Sequence, residues 1–138
     1  MRFLVDTNIF IDLIFEREEG FIDALKFFNW CNIKKNRTYI TSMSFRDIEY
    51  VAMKKYHDRK KVRPILMDIY SICSKVIGIS ADSAINSIFE NYKDFEDELM
   101  VQAAKEEMVD AIITNNIKDF KDKGIAVLTP KEAISMVV

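Results

Sequence analysis

Apolar positions along the 138-residue chain alternate between two spacings. Residues 2–5 (Arg-Phe-Leu-Val), 38–41, 111–114 and 125–128 are short runs rich in aliphatic or β-branched side chains, and they predict strands. Between them apolar residues recur at helical spacing. Residues 8–15 and 21–34 predict helices, the second with Phe21, Ala24, Leu25 and Phe28 on one face. Ser44 followed three residues later by Asp47 approximates a capping box, which starts another helix at Ser44 and carries it to about Tyr56. Pro64 suits an early helical position before a helix over residues 65–76. Ser80 caps a helix through Phe89, Asp94 caps one through Met108, and Pro130 opens a last one over residues 131–136. Short, almost wholly apolar strands alternating with helices predict an α/β fold with a parallel sheet covered on both faces. No linker, repeat or low-complexity tract divides the chain, so residues 1–138 are expected to form a single domain.

Composition narrows the chemistry. Two cysteines, Cys31 and Cys73, cannot build a disulfide framework and stand in no CxxC or Cys/His cluster, which makes structural zinc a poor fit. With seven methionines they point to a reducing cytosol, and Asp6 interrupts the N-terminus too soon for a secretory signal. A cytoplasmic protein without a membrane segment is expected. The single histidine, His57, lies among charges, and there is no GxSxG motif. Three glycines leave no room for GxGxxG or a phosphate-binding P-loop. Whatever chemistry the chain performs must come mostly from aspartate and glutamate.

Net charge is −2, but it is unevenly spread: residues 1–69 carry 13 Lys/Arg against 10 Asp/Glu, and residues 70–138 carry 7 against 12. The basic excess gathers at Lys54, Lys55, Arg59, Lys60, Lys61 and Arg63. Such a run is a solvated face or a surface for a phosphate backbone.

In parallel sheets ligands collect at the carboxyl ends of strands. There the sequence places Asp6 with Thr7 and Asn8 after the first strand, and Glu49 on the helix after the second. Asp94 and Asp97 open the long helix, and Asn115, Asn116 and Asp119 follow the strand at 111–114. Each has a plain structural reading as well. Asp6 and Asp94 suit N-caps, Asp97 suits a helix N-terminus, and Asn116 and Asp119 suit a turn. Asp47 is accounted for by its box with Ser44. Glu49 borders the apolar stripe and has no Lys or Arg at i+3 or i+4. Two carboxylates 4 Å apart repel by ~4 kcal/mol at an effective dielectric of 20, so converging acids call for a cation. Hard oxygen ligands select magnesium or manganese over zinc.

At these residues the chain resembles the PIN-domain (PilT N-terminus) family. The resemblance runs in order through Leu4-Val5-Asp6-Thr7-Asn8, Glu49, Asp94-Phe95-Glu96-Asp97-Glu98-Leu99 with Ala103-Ala104, residues 112–120 and Val127-Leu128-Thr129-Pro130. It implies a compact three-layer α/β/α sandwich around a mainly parallel sheet of four to five strands. It further implies a ribonuclease dependent on one or two magnesium or manganese ions, with many relatives being VapC-type toxins whose active-site groove is occupied by a small antitoxin. Carried over, Asp6, Glu49 and Asp97 match the metal-binding acids. Asn116 stands where many members have a fourth acid, and some branches pair Asn with a following Asp-Phe like Asp119-Phe120. The fourth ligand is therefore open between Asn116 and Asp119. Thr114 matches a polar position that orients water or ligand, and Glu98 departs from a position usually held by a small residue. Asp6, Glu49, Asp97, Asn116 and Asp119 are the expected catalytic set, with Thr7, Asn8, Asp94 and Thr114 in support. Lys54, Lys55, Arg59, Lys60, Lys61 and Arg63 are expected on the RNA backbone. Expected partners are RNA, with a small antitoxin and a second copy of the chain as candidates. The competing reading is a PIN-like binding module without catalysis, acting through a protein partner.

Overall fold

The computed structural model describes residues 1–136. Strand β1 (Arg2–Val5) leads through α1 (Thr7–Ile14) and α2 (Phe21–Lys34) to β2 (Arg37–Thr41). Then come α3 (Ser42–Tyr56), α4 (Arg59–Ile72), β3 (Lys75–Ile77), α5 (Ala81–Phe89) and α6 (Phe95–Glu107). The chain continues with β4 (Ala111–Ile113), α7 (Ile117–Phe120), β5 (Val127–Leu128) and α8 (Pro130–Ile134). The five strands form one sheet in the order β3-β2-β1-β4-β5, and every pairing is parallel.

Side-chain alternation along the strands explains why the sheet is covered on both faces. Phe3, Val5, Ile40, Ala111 and Ile113 point into one core, against Ile9, Phe10, Phe27, Ile48 and Ile69. Leu4, Tyr39, Ile77 and Ile112 point into the other, against Met100, Val101, Ala104 and Phe120. Phe3, Leu4 and Val5 are all fully buried, so β1 has no solvent face and cannot slip register without moving its side chains between cores. The sequence expectation of a parallel α/β/α sandwich holds, with five strands.

Several elements differ from the sequence expectation, among them the short helix α7, which it did not include. The helix expected over residues 65–76 begins at Arg59 instead, because the Asp58 carboxylate accepts from the Lys60 N–H (2.9 Å) and supplies the cap. Pro64 lies inside that helix, where both it and Lys60 are exposed, so water can satisfy the carbonyl that proline cannot. The last expected turn is instead β3, with Val76 opposite Ile40 in β2. Ser44, expected to cap α3, does not. Thr41 does, its Oγ1 accepting from the Ser44 N–H (3.1 Å). Ser44 is buried within the first turn, its hydroxyl bonded to Thr7 Oγ1 (2.7 Å) and Thr41 Oγ1 (3.1 Å), and this ties α3 to the start of α1.

β1 lies between β2 and β4, and the chain leaves it in one direction and returns from the other, so the switch point is at the carboxyl ends of β1 and β4. The early start of α4 is checked by Asp58→Ala. Losing the cap costs about 1 kcal/mol in urea unfolding; an unchanged midpoint would place the helix start later.

Candidate active site

Asp6 follows β1 directly, its backbone N–H bonded to the Ile113 carbonyl (2.8 Å) as though the sheet continued one residue further. It occupies the N-cap position of α1, yet its side chain makes no capping bond. Asp6 is 7% exposed, and its carboxylate accepts a hydrogen bond from the buried Thr114 hydroxyl (Oγ1 to Oδ2, 2.7 Å). Thr114 Oγ1 in turn accepts from the Asn116 N–H (2.9 Å). A backbone amide, a hydroxyl and a carboxylate thus form a chain that fixes the orientation of Asp6.

Around Asp6 opens a cleft of about 390 Å³. Asp97 and Asp94 of the α6 N-terminus, Asp47 of α3, and Asn116 and Asp119 after β4 line it, with Thr7 and Asn8 at its base. Asp94 caps α6 by accepting from the Asp97 N–H (3.1 Å), which sets Asp97 in the first turn. Asn115 turns away, its Nδ2 donating to Asp12 Oδ2 (3.1 Å), so Asn116 is the member of the pair that faces the acids. Any side chain at Gly20 would run into the Asp12 carboxylate that holds Asn115.

Of the residues expected from sequence, Asp6, Asp97, Asn116, Asp119, Thr7, Asn8 and Asp94 line the cleft, and Thr114 stands behind it on Asp6. Glu49 does not. The acid that α3 contributes is Asp47, flanked on the cleft wall by Met43, Tyr50 and Val51. Glu49 lies two residues on, about 200° around the helix, and so cannot share that face. In sequence Asp47 is masked by Ser44, whose capping box would engage its carboxylate. With the cap one turn earlier, Asp47 has no capping duty. The spacing of Met43, Asp47, Tyr50 and Val51, at i, i+4, i+7 and i+8, was the available signal.

The basic run is divided. Lys54 borders the cleft through Tyr50, with its Nζ 4.7 Å from the ring centre. Lys55 lies over Phe15 and Tyr56. Arg59, Lys60, Lys61 and Arg63 are exposed on the first turns of α4 and do not line the cleft.

The electrostatics are one-sided. Burial pushes the Asp6 pKa up, opposed by the Thr114 hydroxyl and the Thr7 amide, and raised further by Asp119 and Asp47. Asp97 is pushed up to about 7, by burial first and then by Asp94, Asp6, Asp119 and Glu96. Asp47 is also raised, by burial, with Arg46 opposing. Every charged group acting on Asp6 or Asp97 is another carboxylate. The donor set is all oxygen and mutually repulsive, which suits a hard divalent cation. Among the described residues no three acidic, cysteine or histidine side chains already stand close enough to ligate one ion directly.

A family model for the PIN domain matches residues 2–118, a span that includes Asp6, Asp47, Asp97 and Asn116. The chain belongs to the PIN-domain family. Among solved structures, a toxin–antitoxin complex from Klebsiella pneumoniae is 29% identical over 92% of this chain and 96% of its own, with a TM-score of 0.64. VapBC2 from Rickettsia felis, bound to a DNA fragment from its promoter, is 22% identical over 93% and 97%, with a TM-score of 0.65. FitAcB from Neisseria gonorrhoeae is 13% identical over 94% and 98%, with a TM-score of 0.68. The last two bear on fold alone. No curated protein matches the sequence. Among the described residues of this PIN domain, no helix is long and apolar enough to cross a membrane.

The raised acids give a pH prediction. Asp97 holds its proton more tightly folded, at about 7, than at the ordinary 3.8, so its contribution to stability is present below 3.8 and lost as pH rises through about 7. Asp6 and Asp47 act in the same direction. In chelator the protein should melt at a lower temperature above neutrality than near pH 5, and Asp97→Asn should raise the melting temperature above neutrality and flatten the dependence. A wild-type melting temperature that climbs between those conditions would contradict the stated repulsion.

Proposed function

We propose that this PIN domain is a magnesium- or manganese-dependent endoribonuclease and the toxin of a toxin–antitoxin pair. The observation that carries the reading is the convergence of Asp6, Asp47, Asp97 and Asp119 on one cleft without a cationic side chain among them. Membership of the PIN-domain family supports the nuclease class, and the toxin–antitoxin complex from Klebsiella pneumoniae supports the pairing with an antitoxin.

Asp6, Asp47 and Asp97 would hold the ion, directly or through water, with Asp119 or the neutral carbonyl of Asn116 completing the set. Bound there, magnesium or manganese supplies Lewis-acid stabilisation of charge on a phosphodiester and lowers the pKa of an attacking water. Thr114 keeps Asp6 in one orientation, so that carboxylate needs no reorganisation when the ion arrives. Asp97, about half protonated near pH 7, gives up its proton on ion binding, and affinity for the ion falls as the solution is acidified. Lys54, beside Tyr50 at the rim, is placed to meet the substrate backbone without reading its sequence.

The second reading is a binding module that acts through a protein partner, and the neutral Asn116 together with the absence of a ready three-acid cluster among the described residues favours it. Manganese titration separates the two. The nuclease should gain melting temperature with added manganese above neutrality and lose that gain near pH 5, whereas a module without a metal site should show neither.

For cleavage of mixed RNA in manganese, Asp6→Asn, Asp47→Asn and Asp97→Asn should each lower the rate by at least about a hundredfold with folding retained. Glu49→Gln should stay close to the parent. Activity that depended on Glu49 and not on Asp47 would overturn the assignment.

A further inference from the structure

Beside the acid cleft and sharing Asp94, Asp97 and Asp119 with it lies a second cleft of about 330 Å³, between the segment before α6 and the segment around α7. Its outer wall carries Lys93, Lys118 and Lys121, all exposed. Among the described residues none of the three is in an ion pair. Tyr92 lines the same cleft and stacks edge-to-face on Phe95, with ring centres 5.2 Å apart; the two aromatics remain 42% and 36% exposed.

This wall is built rather than loose. Glu98 is 2% exposed, and its carboxylate accepts from Lys123 Nζ (2.9 Å) and Gln102 Nε2 (3.1 Å). The Lys123 ammonium also donates to the Asn91 carbonyl (3.1 Å). One ion pair, its carboxylate buried and its ammonium partly exposed, therefore joins the segment bearing Tyr92 and Lys93 to the segment bearing Lys121. Glu98 does not line the acid cleft, so its charge serves this wall rather than the acids.

We propose that this second cleft is a subsite for single-stranded RNA next to the scissile phosphate, an inference that rests on the nuclease reading. Lys93, Lys118 and Lys121 meet backbone phosphates flanking the acids, and a nucleobase stacks on the Tyr92–Phe95 pair. Stacking needs an unpaired base, so the subsite selects single strands over duplex. Phosphate contacts by three flexible lysines carry no sequence reading, so base preference at this subsite stays weak. Asp122, on the same wall, opposes the lysines, and Glu98 does not because Lys123 already neutralises it. A strand passing over the acids from this wall leaves toward Tyr50 and Lys54 on the other.

The test is a fluorescence-anisotropy titration of a labelled single-stranded RNA and its duplex. It is run in chelator on the Asp97→Asn protein, so that no strand is cut. Replacing Lys93, Lys118 and Lys121 together by alanine should weaken single-strand binding at least about tenfold. The slope of log affinity against log salt should fall by about 2, as three lost phosphate contacts require. Tyr92→Ala should weaken binding about tenfold with the slope unchanged. Thermal unfolding of each variant confirms that the fold is kept. Unchanged affinity and slope in the triple variant would overturn the subsite, as would a triple variant that binds RNA normally but loses an acidic protein partner. Manganese-dependent cleavage by the wild-type chain is measured alongside. Cleavage with lysine-independent binding sinks the subsite and leaves the nuclease; lysine-dependent binding without cleavage keeps an RNA subsite and sinks the nuclease.

Discussion

Like charges repel, and at the carboxyl edge of this sheet Asp6, Asp47, Asp97 and Asp119 are nevertheless held facing one space. The charged groups acting on Asp6 and Asp97 are all carboxylates, and the proton affinities of both rise with burial and that repulsion. A protein under no functional demand would separate such groups or pair them with lysine. Here the cost of ionising them together is carried by the rest of the fold. Much of the remaining structure can be understood as the scaffold that keeps these side chains from drifting apart.

That scaffold works through the sheet. β1 is buried on both faces, so Asp6 at its end has a fixed position, and parallel pairing with β4 brings Thr114 beside it. Thr114 then spends its hydroxyl proton on Asp6 and its acceptor capacity on the Asn116 amide. α3 is joined to the same edge by the hydroxyl cluster of Thr7, Thr41 and Ser44, which sets the angular position of Asp47. α6 arrives from the other side with Asp94 capping it and Asp97 in its first turn. Elements widely separated in sequence thus deliver these carboxylates, Asp6 through a buried hydroxyl, Asp47 through the Thr7–Thr41–Ser44 cluster and Asp97 through an exposed cap.

Much of this was legible from the residues. Strands as apolar as Phe3-Leu4-Val5 and Ala111-Ile112-Ile113 can only be buried on both faces, and that reading led to the strand ends where Asp6, Asp97, Asn116 and Asp119 are found. Capping chemistry is where sequence and structure part. Ser44 and Thr41 are both good caps three residues apart, and tertiary bonding to Thr7 decides between them. A cap at Ser44 would occupy Asp47 and leave Glu49 as the free acid of α3, whereas the cap at Thr41 leaves Asp47 on the cleft. The start of α4 is not evident in sequence because Pro64 is a stronger helix-start signal than the Asp58 cap, and β3 is not because three residues of mixed exposure carry no alternation. Glu98 looked like a minor mismatch in sequence, since only the fold shows that Lys123 reaches it from 25 residues away.

The central claim is that these acids are gathered for a shared cation. Locating manganese by its anomalous scattering in crystals of the protein tests it most directly. The account predicts a peak in the cleft among Asp6, Asp47 and Asp97, with Glu49 uninvolved. A cleft without density, or a manganese-loaded protein in which these carboxylates turn away from one another, would contradict it.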